Sequence, residues 1–187
     1  MSILRYVRSR ALSIAGASLL LIVALAPASA HVGVKADTSA AGSTAIVTFG
    51  FGHGCGDSPT TALVFQIPEQ FNSVAPVFAA GWSIDVEKQG LDEPIEGSHG
   101  STITERTSTV TFNADAPIED GIYAMVSLRL TLPEDAAGES IYFPVIQECE
   151  EGENAWIEIP QDGEDEDDLE SPAPALKVTD ADDDSGH

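Results

Sequence analysis

Basic residues are scarce in this sequence. Eight lysines and arginines stand against 31 aspartates and glutamates, which gives a formal net charge of −23. Three of the basic residues lie in the first thirty positions, which hold no acid, so the chain from His31 onward carries −26. Such a charge argues against nucleic acid and anionic membrane surfaces as partners, because like charges repel.

Long apolar runs and catalytic motifs are also lacking. After the first thirty residues no run approaches the roughly 20 apolar residues that a membrane-spanning helix needs. The sequence contains no Gly-x-Ser-x-Gly, Cys-x-x-Cys or His-Glu-x-x-His pattern and no phosphate-binding loop. We therefore do not expect an enzyme.

The first thirty residues are typical of an export signal. Basic residues at the start precede an apolar run, and Ala28-Ser29-Ala30 is a small-residue cleavage pattern. We predict a signal peptide over 1–30 and a product in the periplasm, outside the cell or at its surface. An uncut signal retained as an anchor is the alternative.

The chain has only two cysteines, Cys55 and Cys149, and both follow the signal. In an oxidising compartment two thiols favour one disulfide. The bridge closes a loop of about 95 residues, for which the chain-entropy model gives roughly 4 to 5 kcal/mol of stabilisation. A copper–thiolate pair is the alternative.

Cleavage after Ala30 makes His31 the first residue of the mature protein. A terminal histidine offers an α-amine and an imidazole that can chelate one metal ion together. Imidazole suits copper, nickel and zinc, and copper(II) binds most tightly among these divalent ions. The alternative is that the cut leaves a histidine without a role.

Apolar residues alternate with polar ones in eight or nine short segments separated by turn residues, and no stretch has a helical period. This pattern predicts an all-β protein, an antiparallel immunoglobulin-like β-sandwich. The segment 89–99 is polar and turn-rich, and we expect it to connect strands. The predicted strands cover 31–35, 44–51, 61–67, 77–86, 102–112, 122–132, 140–149 and 155–159.

The composition changes after Pro160. Dense acidic runs with little apolar surface predict a disordered tail over 161–187. We therefore place the folded domain at 31–160. The short stretch 176–178 remains open as an edge strand.

Of the four histidines, His99 lies in a turn and His187 ends the chain, and we expect both to be exposed bystanders. His53 lies between two glycines and two residues before Cys55. Trp156 follows Cys149 by seven residues, so the disulfide would draw His53 and Trp156 together. Trp156 alternates with its two neighbouring isoleucines and is predicted to face away from them; packing under the disulfide is the alternative role.

Several motifs carry a family resemblance: Ala30-His-Val-Gly-Val-Lys35, Pro59-Thr-Thr-Ala-Leu-Val-Phe-Gln-Ile-Pro-Glu69 and Gly81-Trp82. Together they resemble the YcnI-like family of exported copper-binding domains. The resemblance implies a β-sandwich that binds one copper(II) through its mature N-terminal histidine, with a carboxylate and a tryptophan completing the site. His31 matches the histidine and Trp156 the tryptophan.

The carboxylate of that family does not carry over. The corresponding loop reads Gly52-His-Gly-Cys-Gly-Asp57, without a glutamate. His53 and Asp57 are the candidate replacements, and we predict His53 as the third ligand.

These observations predict an exported copper(II)-binding protein for chaperoning, scavenging or delivering copper outside the cytoplasm. The expected partners are the copper ion and a copper-transport membrane protein or another extracytoplasmic copper chaperone. Two other classes stay open: a metal-free sandwich that binds proteins at the cell surface, and a copper-dependent oxidase or monooxygenase.

Overall fold

The computed structural model describes residues 31–97 and 100–181. The predicted signal peptide, His99 and His187 lie outside the described residues. Eleven strands and one short 3₁₀ helix (Glu166–Asp168) occur within them. The strands are β1 (Gly33–Ala36), β2 (Thr44–Phe51), β3 (Thr60–Gln66), β4 (Ala75–Pro76), β5 (Trp82–Glu96), β6 (Thr102–Ile118), β7 (Ala124–Thr131), β8 (Ser140–Tyr142), β9 (Val145–Cys149), β10 (Glu153–Trp156) and β11 (Ala175–Lys177).

The strands form an antiparallel β-sandwich. One sheet has the order β1-β2-β7-β4, the other has the order β10-β9-β3-β6-β5, and β11 pairs with β8. Strand β2 shows why the chain folds this way: its apolar residues alternate, and Ala45, Val47 and Phe49 are fully buried. Alternation places one face of a strand on the core and the other in solvent.

Aromatic rings fill the space between the two sheets. Phe49 of the first sheet lies 4.6 Å from Phe65 of the second, measured between ring centroids, and 5.3 Å from Phe143. Phe65 also makes an edge contact with Phe112 at 6.0 Å. These tilted and edge-on arrangements are the ones that aromatic pairs favour. The predicted all-β sandwich is confirmed.

Residues 89–96 belong to a strand, which corrects the expectation that this segment only connects strands. β5 continues to Glu96 and pairs with β6, with register shifts between Glu87 and Lys88 and between Gly90 and Ile95. Most of this part of β5 is exposed. The backbone hydrogen bonds of a hairpin are satisfied by pairing between its two strands. An exposed hairpin therefore needs no alternation of apolar and polar residues, which is the pattern by which a strand is recognised in a sequence.

The folded domain extends beyond Pro160, which corrects the predicted boundary. β11 pairs with β8, and the side chains of Ala173, Leu176 and Val178 are buried. The preceding, mostly acidic residues 161–166 are exposed. The acidic run is thus an exposed segment within the domain, and the short apolar segment after it packs on the sandwich.

Candidate metal centre

His31 lies just before β1, at one end of the sandwich. The next residue, Val32, is only 4% exposed, and Val34 packs against the core. In the antiparallel register Gly33 is opposite Gly50, so extending the register by two residues places His31 opposite Gly52. His31 itself is exposed. The buried valines therefore anchor the chain on which His31 is presented to solvent.

Trp156 ends β10, opposite Val145 of β9. Its ring centroid lies 5.5 Å from that of His31, with an interplanar angle of 64°, so the two rings meet edge to face. The fold thus brings together the first and last of the three predicted metal-site residues. They are far apart in the sequence: His31 precedes β1, an edge strand of the first sheet, and Trp156 ends β10, an edge strand of the second.

The structure shows which face of the Trp156 segment is buried. Trp156 is 6% exposed and belongs to the core cluster, whereas Ile157 and Ile159 are 46% and 47% exposed. Trp156 does face away from the isoleucines, but it is the tryptophan that points inward. Because β10 ends at Trp156, the isoleucines follow the strand and are not required to continue its buried face.

The glycine-rich loop between β2 and β3 is fixed by the disulfide. Cys55 and Cys149 are bonded, with their Cα atoms 6.0 Å apart, as the sequence predicted. Within the loop the Cys55 and Ser58 backbones exchange two hydrogen bonds. A Cβ on Gly54 would lie 2.0 Å from the Ser58 carbonyl oxygen, so the close approach requires glycine.

His53 has a carboxylate partner that the sequence did not reveal. Its Nδ1 lies 3.2 Å from Oδ1 of Asp120, which also accepts a hydrogen bond from the Gly54 amide. Asp120 lies in the turn between β6 and β7, and the Gly121 amide donates to the Gly52 carbonyl. This turn therefore holds the loop in addition to the disulfide. No short-range pattern links residues so far apart in sequence.

Among residues 31–97 and 100–181, no three His, Cys, Asp or Glu side chains form a group suited to hold a metal. Such a group is not required for the two donors predicted on His31, because its α-amine and imidazole belong to the same residue. The exposed His31 beside the buried Trp156 fits that prediction. The role of His53 as the third ligand stays a prediction, with Asp57 as the alternative.

The buried side-chain amide of Gln147 joins Trp156 to the glycine-rich loop. The Gln147 side chain on β9 is 0% exposed. Its Nε2 donates to the His53 carbonyl and to Thr60 Oγ1, each at 2.7 Å. Its Oε1 accepts from Trp156 Nε1 at 3.1 Å and from Asn154 Nδ2 at 3.5 Å. A glutamine in a strand pattern gives no signal of this kind, so sequence reasoning missed it.

Tyr123 is an aromatic residue near His31 that the sequence reasoning also missed. It covers the glycines beside His31: a Cβ on Gly50 would lie 2.1 Å from its hydroxyl oxygen, and one on Gly52 would lie 3.5 Å from its ring. Its side chain is nonetheless 67% exposed. Gly50 of β2 and Gly52 just after the strand thus leave room for the Tyr123 ring.

No helix in the described ranges is long and apolar enough to cross a membrane.

The comparisons with known proteins give a family and a fold. A family described as a domain of unknown function, DUF1775, matches residues 31–178. No curated protein matches the chain. An uncharacterized protein from Nocardia farcinica, whose crystal structure is described as an immunoglobulin-like fold, is 23% identical with a TM-score of 0.60, and the match covers 80% of this chain and 98% of that one.

A putative membrane anchored protein from Corynebacterium diphtheriae is 12% identical with a TM-score of 0.39, covering 81% of this chain and 34% of that one. The family match covers most of the chain, and its end at residue 178 agrees with the burial of Val178. The Nocardia structure agrees with the immunoglobulin-like architecture expected from the strand pattern. The chain therefore belongs to the DUF1775 family, the family of the YcnI-like proteins.

Proposed function

We propose that this protein binds one copper(II) ion outside the cytoplasm through His31, after cleavage of the signal peptide at Ala30. The observation that carries the proposal is the contact between His31 and Trp156, with ring centroids 5.5 Å apart. It joins the candidate chelating residue to the tryptophan implied by the family resemblance. The disulfide supports an extracytoplasmic location, since such bonds persist in oxidising compartments.

His31 would supply two donors, its α-amine and an imidazole nitrogen. Copper(II) bound there would add a redox-active ion with a high affinity for nitrogen donors. Val32, buried at 4% exposure, holds the donor residue in place before metal arrives. The buried indole ring of Trp156 lies beside the imidazole and would exclude water from that side.

The first experiment is a copper(II) titration of protein that begins at His31, with a competing chelator to set the free copper concentration. We expect one tight site per chain. His31→Ala, or acetylation of the His31 α-amine, should lower the affinity by orders of magnitude because each removes one of the two chelating donors. His99→Ala is the matched control and should bind as the wild type does.

Equal affinity in the wild type and in both altered proteins would contradict the proposal. Copper held equally by all of them would point to the acidic residues or to His53. His53→Ala separates these two cases. If His31 does bind copper and His53 is the third ligand, His53→Ala should retain a copper site of lower affinity.

A handling role also predicts that the copper-loaded protein is not an oxidase. With a reductant present, oxygen consumption should stay at the rate of the His31→Ala protein. Sustained consumption that depends on His31 would favour the oxidase alternative and contradict the handling role.

One observation favours a second candidate, a protein-binding role. The outward positions of β1, β2 and β7, all within the described ranges, carry Lys35 and Arg129 and no acid, in a chain of net charge −23. Exposed apolar side chains lie on the same side: Met125 at 49% and Phe78, which shares a surface cleft with it, at 86%. Exposed apolar patches mark interaction surfaces. If the titration finds no copper site, this face is the better candidate for function.

A further inference from the structure

A fully buried glutamine is costly unless every polar atom finds a partner. Gln147 meets this condition in a sandwich whose other interior residues are almost all apolar: the only other buried polar residues among those described are Thr60 and Thr107. A leucine would fill such a position without any polar requirement. The amide therefore calls for a role beyond filling space.

The hydrogen bonds of Gln147 fix the direction of its amide. The Trp156 indole nitrogen can only donate, and the His53 carbonyl oxygen can only accept. Oε1 must therefore face Trp156, at 3.1 Å, and Nε2 must face His53, at 2.7 Å. Reversing the amide would break both bonds, so one orientation ties the indole and the glycine-rich loop together.

The same loop and the same strand are joined a second time. The bonded cysteines, Cys55 and Cys149, lie two residues beyond His53 and Gln147 respectively. The disulfide sets the distance between the loop and β9. The rotation of the Trp156 ring is fixed by the hydrogen bond from its indole nitrogen to Gln147.

We propose that Gln147 is the positioning residue of the proposed copper site, because it fixes the Trp156 indole against His31 and holds the peptide of His53 beside it. The copper part of this inference rests on the proposed function. The positioning of the indole does not, because it concerns the protein without metal.

The test without metal is hydrogen exchange of the Trp156 indole N–H by NMR, with the resonance assigned through Trp156→Phe. We expect strong protection in the wild type. In Gln147→Met, which keeps an unbranched side chain but offers no donor or amide acceptor, the resonance should move and exchange should accelerate. Fast exchange in the wild type would overturn the proposal, even if Gln147→Met does not fold.

Thr60→Val is the matched control. It removes a different partner of the same amide, at 2.7 Å, and leaves the bond to Trp156 in place. Protection of the indole should survive in Thr60→Val. An equal loss in both variants would show that the exchange reports general loosening of the core, and the proposal would be wrong.

With copper, Gln147→Met should weaken binding roughly 10–100-fold, the usual effect of losing a residue that orients a metal site. In the Trp156→Phe background, Gln147→Met should lower the copper affinity by a clearly smaller factor, because the hydrogen bond from the indole is already absent. An equal cost in both backgrounds would overturn the role through Trp156. If the wild type binds no copper, the proposed function fails, while the exchange experiment still decides the positioning of Trp156.

Discussion

At the residue scale, glycine decides how the loop beside the candidate metal centre is built. The loop carries His53 and Cys55, and its path brings the backbone of Gly54 against that of Ser58. A backbone carbonyl cannot move aside as a flexible side chain can. The sequence showed a glycine-rich loop, and the structure shows which glycine makes the close contact.

Gly54→Ala should therefore lower the free energy of unfolding by about 1–3 kcal/mol, the usual cost of forcing an extra carbon into a packed site. Gly52→Ala is the matched control, because its Cβ would lie at an ordinary 3.5 Å from the nearest atom, in the ring of Tyr123. Urea unfolding of both variants measures the difference. Equal stabilities would mean that the loop rearranges at little cost.

The two tryptophans allow a second residue-scale prediction, which depends on the proposed function. Copper at His31 should quench the emission of Trp156, whose ring is 5.5 Å away, more than that of Trp82, which packs against Phe51 and Phe112. Quenching should disappear in Trp156→Phe and persist in Trp82→Phe. Quenching that follows Trp82 would place the metal elsewhere.

At the element scale, β11 shows that an acidic segment does not end a domain. Leu176 is 7% exposed and Val178 is 1% exposed, and the backbone of Thr179 donates to Ser39 in the loop after β1. The strand is only three residues long, which is too short for alternation to be recognised in the sequence. Its place is set by contacts with β8 and with the loop after β1.

Truncation after residue 162 should destabilise the domain. Burial of Leu176 and Val178 contributes about 1.5–3 kcal/mol each, so we expect the midpoint of thermal unfolding to fall by roughly 10 °C. Removing only 182–187 is the control and should change it little. An unchanged midpoint after the longer truncation would show that β11 contributes nothing to stability.

At the scale of the whole molecule, one covalent bond ties together distant parts of the chain. Cys55 and Cys149 are separated by 94 positions, and their bond joins the loop after β2 to the end of β9. In the double variant Cys55→Ser with Cys149→Ser, the free energy of unfolding should be about 2–5 kcal/mol lower than in the wild type. Denaturant unfolding measures this, and thiol titration of the unreduced wild type should find no free thiol. Two free thiols would contradict the bridge.

The charge of the whole molecule is the second property at this scale. From His31 onward the chain carries a formal net charge of −26. Among the described residues, lysine and arginine side chains form two ion pairs with acidic ones, Lys88–Glu105 and Arg106–Glu69. Self-repulsion opposes the compact state and is screened by salt. The midpoint of thermal unfolding should therefore rise when sodium chloride is raised from about 10 mM to about 300 mM. At the higher concentration the Debye length is only a few ångströms, so repulsion between surface carboxylates is largely screened. A falling midpoint would mean that attractive pairs dominate.

The sequence by itself determined the class of fold, most of the strands and the disulfide. Alternation in 44–51 is a local pattern with period two, and it coincides with β2. The pairing of Cys55 with Cys149 followed from there being only two cysteines. His31 was identified by its place after a cleavage pattern, which is also local.

Only the tertiary structure decided which residues surround His31. The inward face of Trp156, the partnership of Asp120 with His53 and the four hydrogen bonds of Gln147 depend on residues that are far apart in the chain. The return of β11 depends on β8 in the same way. Local patterns record which face of an element is buried, but the partner across the interface is fixed only when the sheets pack, because that choice depends on the shape and polarity of both surfaces.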